Sequence, residues 1–124
     1  EVMVRVGMKE VKSKFEFYDK FDEKEVREHL DKRNAPKVMV LDCWTFLDMS
    51  IKQYKKLEED YPKTLFIVIA HEEGGKPMGN SHIIHKLAHV KIRVVGFKAY
   101  QKGRYGGGKP YIIWEKGASE YETI

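Results

Sequence analysis

An acidic residue closes one apolar run in the middle of the chain, and a histidine follows the next such run. Asp42 comes directly after Val38–Leu41, and His71 comes directly after Leu65–Ala70. Open α/β sheets bind ligands at the carboxyl ends of their strands, so two polar side chains at that edge could share one ligand. In nucleotide hydrolases such an acid organises a phosphate-bound Mg²⁺. Many strands also end in an acid that only caps a turn, and Asp42 by itself leaves both roles open.

Positive charge is concentrated toward the carboxyl end of the chain, although the net charge is only +4. From Ile83 to Lys116 the only acid is Glu115, and it is set against eight basic residues: Lys86, Lys91, Arg93, Lys98, Lys102, Arg104, Lys109 and Lys116. The aromatic residues interleaved with them are Phe97, Tyr100, Tyr105, Tyr111 and Trp114. This composition favours a polyanion, either nucleic acid or the phosphates of a neighbour's nucleotide. A solvated, lysine-rich hairpin that binds nothing is the alternative.

Alternating helix and strand signals predict one α/β domain over residues 1–124. Capping-box patterns that begin at Asp22 and Ser50 open two helices, and Ser81 opens a shorter one. Apolar runs predict the strands, namely Glu1–Val6, Val38–Leu41, Leu65–Ala70 and Val90–Val95. Helices placed between apolar strands imply right-handed crossovers. The expected fold is therefore a mostly parallel, three-layer sheet with helices on its faces.

The pattern of alternating helix and strand signals ends after Gly96. Residues 97–100 and 111–114 read as two further strands, separated by a loop rich in glycine and cations, Gln101–Pro110. We expect an antiparallel hairpin with positive charge at its tip.

Histidines and the single cysteine allow fewer conclusions. His82, His85 and His89 are spaced three and four residues apart, so on a helix they would share a face and could ligate zinc. No cysteine or carboxylate lies at a matching spacing, which favours an ordinary surface. Cys43 alone excludes an internal disulfide and indicates a reducing, cytoplasmic setting. No apolar run approaches the roughly 20 residues that span a bilayer, so we expect no membrane partner.

The order of these features resembles the second half of a RecA-type ATPase core, closest to the replicative hexameric helicase and RecA branch. The resemblance covers roughly Lys37 to Glu115. It implies that Asp42 is the Walker B acid that holds Mg²⁺ through water, and that His71 is the γ-phosphate sensor, where the family commonly has Gln. It also implies that Lys102 and Arg104 reach a neighbouring subunit's nucleotide. ATP and Mg²⁺ as cofactors, self-association, and DNA or RNA as the substrate follow from the same resemblance.

The phosphate-binding loop of that family has no counterpart in the chain. No segment matches G-x-x-x-x-G-K-[ST], whose backbone amides cradle phosphates. The glycine clusters at Gly74–Pro77 and Gly106–Pro110 have the wrong spacing and place proline where a helix would begin. We therefore expect the carboxyl-terminal part of an ATPase, or a degenerate relative, that does not hydrolyse ATP efficiently by itself. Glu10 is the candidate for the glutamate that polarises the attacking water.

Two other functional classes stay open. One is a non-catalytic α/β module for nucleic-acid binding or assembly, in which the basic hairpin contacts phosphates and stacks on bases. Its contact residues would be Lys98, Lys102, Arg104, Tyr105 and Lys109. The other is a Mg²⁺-dependent nuclease or Toprim-like site that uses Asp42 and Asp48.

Overall fold

The computed structural model describes residues 16–18, 22–44, 49–79, 81–103, 105 and 107–122. The predictions made for Glu1–Val6, Glu10, Asp48 and Arg104 lie outside these residues. The chain divides into two compact units, one formed by Glu1–Val38 and Leu47–Leu65, the other by Met39–Phe46 and Phe66–Ile124. Among the described residues, no helix has the length and apolar character needed to cross a membrane.

The first unit contains helix α1 (Glu23–Leu30) and helix α2 (Ile51–Asp60). Both predicted amino-terminal caps are confirmed. The Asp22 carboxylate accepts a hydrogen bond from the backbone of Glu25 at 2.9 Å. Ser50 and Gln53 form a complete capping box, since each side chain accepts from the other's backbone N–H. These bonds satisfy amide groups that the first turn of a helix leaves without partners.

Polar contacts join the two helices of this unit. Arg27 donates to Asp60 at 2.8 Å and to Glu23 at 3.1 Å, while the Gln53 amide donates to Glu23 at 2.8 Å. The guanidinium of Arg27 holds the pKa of the Asp60 carboxyl below its usual value. The buried apolar side chains of the unit are Val26, Leu30, Met49, Tyr54 and Leu57. The side chains of Arg27, Glu23, Asp60 and Gln53 are therefore engaged with one another, which indicates a structural role.

Strands β1 (Val38–Asp42) and β2 (Leu65–Ile69) pair in a two-stranded sheet. The backbone N–H of Leu65 donates to the carbonyl of Lys37 at 2.8 Å, so the two strands begin side by side. Both contain five residues, and their carboxyl ends therefore also meet at one edge. The two predicted strands, and their shared edge, are present as expected.

The second unit continues with β3 (Glu72–Glu73), β4 (Lys76–Pro77) and helix α3 (Ser81–Leu87). It ends with β5 (Val90–Val95), β6 (Lys98–Gly103), β7 (Tyr111–Ile112) and helix α4 (Glu115–Glu122). Strands β5, β6 and β7 form a separate antiparallel sheet in that order. The mixed α/β class and the antiparallel carboxyl-terminal hairpin are confirmed.

The expected single parallel sheet is not formed by the described residues, because β5 turns back on itself. Val95 pairs with Lys98, which leaves Gly96 and Phe97 as a two-residue loop. Both loop residues have positive φ, 58° and 61°, the backbone of a type I′ turn that matches the twist of a hairpin. Strand β5 therefore pairs with β6 instead of joining β1 and β2.

Helix α4 packs against this turn. The Phe97 and Trp114 rings meet edge to face with centroids 5.0 Å apart, and the Ile113 N–H donates to the Phe97 carbonyl at 2.9 Å. A Cβ atom at Gly117 would lie 2.8 Å from the Phe97 ring, and one at Gly96 would overlap the Tyr121 ring. Positive φ is uncommon for phenylalanine. These contacts hold Phe97 in that conformation.

We expect Gly96→Ala to destabilise the protein more than Gly74→Ala. Both glycines have φ of +58°. The left-handed backbone conformation therefore destabilises an alanine at either position by the same amount, about 1–2 kcal/mol. A Cβ at Gly74 meets nothing within 4 Å, whereas one at Gly96 collides with Tyr121. The free energy of unfolding, measured in urea, should therefore fall further for Gly96→Ala. Equal losses would show that α4 does not pack on the turn.

Candidate anion-binding site

The register between β5 and β6 sorts their side chains onto two faces. Lys91 pairs with Lys102, Arg93 with Tyr100, and Val95 with Lys98. Because side chains alternate along a strand, these residues share one face, called here the basic face. The other face carries Val90, Ile92 and Val94, which are 44%, 65% and 61% exposed. The hairpin is thus cationic on one side and aliphatic on the other.

Two cations of the basic face have carboxylate partners. The Arg93 guanidinium donates through Nε to both carboxylate oxygens of Glu72, at 2.8 and 3.1 Å. Lys98 pairs with Glu122 of α4, and this hydrogen bond raises the pKa of Lys98. The charges of Arg93 and Lys98 are therefore balanced within the unit.

Lys91 and Lys102 differ from these two residues. They stand directly opposite each other across the ladder, and neither forms an ion pair with any carboxylate that the structure describes. Like charges in directly opposed positions destabilise a sheet. An anion bound between the two ammonium groups would remove that repulsion.

A groove of about 420 Å³ opens beside this lysine pair. It is lined by the end of α3, the connection into β5, and the two strands: His85, Lys86, Leu87, Ala88, His89, Lys91, Lys102 and Gly103. Gly103 lets the connection approach β6, because a Cβ there would lie 2.8 Å from the His89 carbonyl oxygen. Ammonium and imidazole groups surround the groove, and this donor set suits phosphate or carboxylate oxygens.

The structure brings together only part of the predicted basic cluster. Lys102 lies in the groove, whereas Lys98 lies four residues away at the other end of β6 and is held by Glu122. Tyr105 and Lys109 are exposed in the loop between β6 and β7, and Arg104 lies outside the described residues.

Asp42 and His71 occupy the shared edge of β1 and β2. Asp42 is the last residue of β1 and is exposed. His71 follows the end of β2 by two residues, is exposed, and accepts a hydrogen bond from the Met78 N–H on its backbone carbonyl at 3.0 Å. Asp42 and His71 contribute a carboxylate and an imidazole that could contact a hydrated ion or a phosphate, and among the described residues they belong to no group of three metal-ligating side chains.

No group of three metal-ligating side chains occurs among the described residues. Helix α3 carries His82 and His85 but ends at Leu87. His89 therefore lies beyond the helix and does not share a helical face with the other two histidines. His82 instead contacts the Gly79 carbonyl through Nδ1 at 3.0 Å. The three histidines therefore do not share one helix face, as the zinc hypothesis required.

The pairing of Lys91 with Lys102 was not predicted from the sequence, because Val90–Val95 was interpreted as an interior strand of the parallel sheet. The signal was present in the alternation of Val90, Ile92 and Val94 with Lys91 and Arg93. Period-two alternation is typical of an antiparallel strand with one polar face.

Comparison with known proteins finds no family model that matches the chain, no similar curated protein and no similar solved structure.

We expect Lys102→Glu to stabilise the protein, because it places a carboxylate opposite Lys91. The gain should be about 0.2–1 kcal/mol in the free energy of unfolding at low salt, and it should shrink as salt screens the pair. Lys109→Glu makes the same charge change in an exposed loop and serves as the control. Urea unfolding at two salt concentrations measures both variants, and equal effects would contradict the opposition of Lys91 and Lys102.

Proposed function

We propose that the chain binds nucleic acid through phosphates held in the groove beside Lys91 and Lys102. The observation that carries the proposal is that these opposed lysines have no ion pair with any described carboxylate, while the neighbouring Arg93 and Lys98 have one. An uncompensated pair costs stability unless an anion binds there. Lys86 and His89 add further donors to the same groove.

A polymer fits this surface better than a small anion does. The groove is open, and a further lysine, Lys109, is exposed in the loop that follows β6. The net charge of +4 favours the approach of a polyanion. Phosphate contacts from lysine position a nucleic-acid backbone without reading its sequence. We therefore propose binding to DNA or RNA without strong sequence preference.

A RecA-like ATPase is the second candidate, and the side-by-side ends of β1 and β2 favour it. In this proposal Asp42 holds Mg²⁺ through water and His71 contacts the γ-phosphate of ATP. Lys102, together with Arg104, contacts a nucleotide on a neighbouring copy, so the protein self-associates. The phosphate-binding loop would have to come from outside the present sequence, which lacks that motif.

The double substitution Lys91→Gln with Lys102→Gln should weaken binding to a single-stranded oligonucleotide. It should also flatten the dependence of affinity on salt, because each lost phosphate contact lowers the slope of log K against log salt by about 0.7. Fluorescence anisotropy over a salt series measures both quantities.

The matched control is Lys52→Gln with Lys55→Gln, two exposed lysines of α2. It removes the same charge at a site distant in sequence from the groove. Equal losses in the two double variants would show that only net charge matters, and the proposed groove would then be wrong.

Asp42→Asn distinguishes the second candidate. Without a phosphate-binding loop, the present chain should release phosphate from Mg²⁺-ATP at the background rate, and the substitution should change nothing. A substantial rate that Asp42→Asn abolishes would show that another segment binds the phosphates. The steady-state phosphate assay is run with enzyme-free and Mg²⁺-free controls.

A further inference from the structure

The middle pair of the basic face consists of an exposed aromatic ring and a cation that is already paired with a carboxylate. Arg93 and Tyr100 oppose each other there, and Glu72 holds the Arg93 guanidinium through both carboxylate oxygens. Tyr100 is 39% exposed. A ligand that lies along this face therefore meets two uncompensated lysines first and a tyrosine next.

The spacing of these groups suits one nucleotide step. Tyr100 and Lys102 are two residues apart on β6, a distance of about 7 Å along the strand, and their side chains lie on the same face. A phosphate held by Lys91 and Lys102 would place the attached base toward Tyr100. Bases stack on exposed aromatic rings without sequence preference, because every base has a π-face.

We propose that the basic face binds single-stranded nucleic acid, with Tyr100 as the residue on which a base stacks. This inference rests on the proposed nucleic-acid function and names the strand form that the site selects. A duplex keeps its bases paired and stacked inside the helix, so it can use the lysine pair but cannot use Tyr100. The lysines supply affinity for both forms, and the ring supplies the preference.

Another exposed tyrosine provides a control within the same chain. Tyr111 is 72% exposed, but it pairs with Ala99 and so lies on the aliphatic side of the sheet. It does not share a face of the ladder with the lysine pair.

The test measures the affinity of a labelled thymidine oligonucleotide and of a duplex of the same length. Tyr100→Ala should weaken single-strand binding by about 5- to 150-fold, the loss expected for one stacked base. Duplex binding should not change. Tyr100→Phe should keep single-strand affinity because the ring remains, while Tyr100→Leu, which keeps apolar bulk for folding, should lose it. Tyr111→Ala should bind as the wild type does.

The inference is overturned if Tyr100→Leu and Tyr100→Ala bind as tightly as the wild type, if duplex affinity falls equally, or if Tyr111→Ala shows the same loss. Urea unfolding of each variant separates loss of the ring from loss of the fold. The same oligonucleotide is also tested with the Lys91→Gln, Lys102→Gln variant. If that variant binds normally, the proposed function fails. If it binds weakly while the Tyr100 variants bind normally, only the stacking inference fails.

Discussion

The two-residue turn at Gly96 and Phe97 is the constraint on which the candidate site depends. It sets the register of β5 against β6, and that register puts Lys91 opposite Lys102. A slip of one residue would move every side chain of one strand to the other face. The lysines would then be separated by the sheet, and the basic face would not exist. Backbone geometry at two residues thus determines where the positive charge is concentrated.

Counter-ions then decide which part of the basic face remains available to a ligand. Glu72 and Glu122 come from elements outside the ladder, and each is paired with one cation of it. Exposed ion pairs contribute little to stability, typically below about 1 kcal/mol. Their larger effect here is on where ligand-accessible charge lies. Among the cations of the ladder, Lys91 and Lys102 at one end of the hairpin are those with no ion pair to any carboxylate that the structure describes.

Local signals in the sequence predicted the first three helices and the longer strands, but not helix α4 or the short strands β3 and β4. The pairing of distant strands was not predictable from local signals. The caps at Asp22 and Ser50 and the two central strands follow from side-chain chemistry within a few residues. The pairing of β5 with β6 depends on a positive φ at Phe97, a conformation that is uncommon for phenylalanine. Contacts with Trp114 and Gly117, far along the chain, stabilise that conformation. Lys102 could be singled out by charge, but its partner Lys91 could be recognised only once the register was known.

The two functional proposals use Lys102 in physically different ways. A groove lysine that holds a nucleic-acid backbone acts by releasing counterions, so its contribution is electrostatic and weakens with salt. A lysine that reaches a neighbour's nucleotide acts on charge that develops in the transition state, inside a site from which water is excluded. The groove described here is open to solvent. An open groove suits the first use of Lys102, whereas the second would require a neighbouring copy to close over it and exclude water.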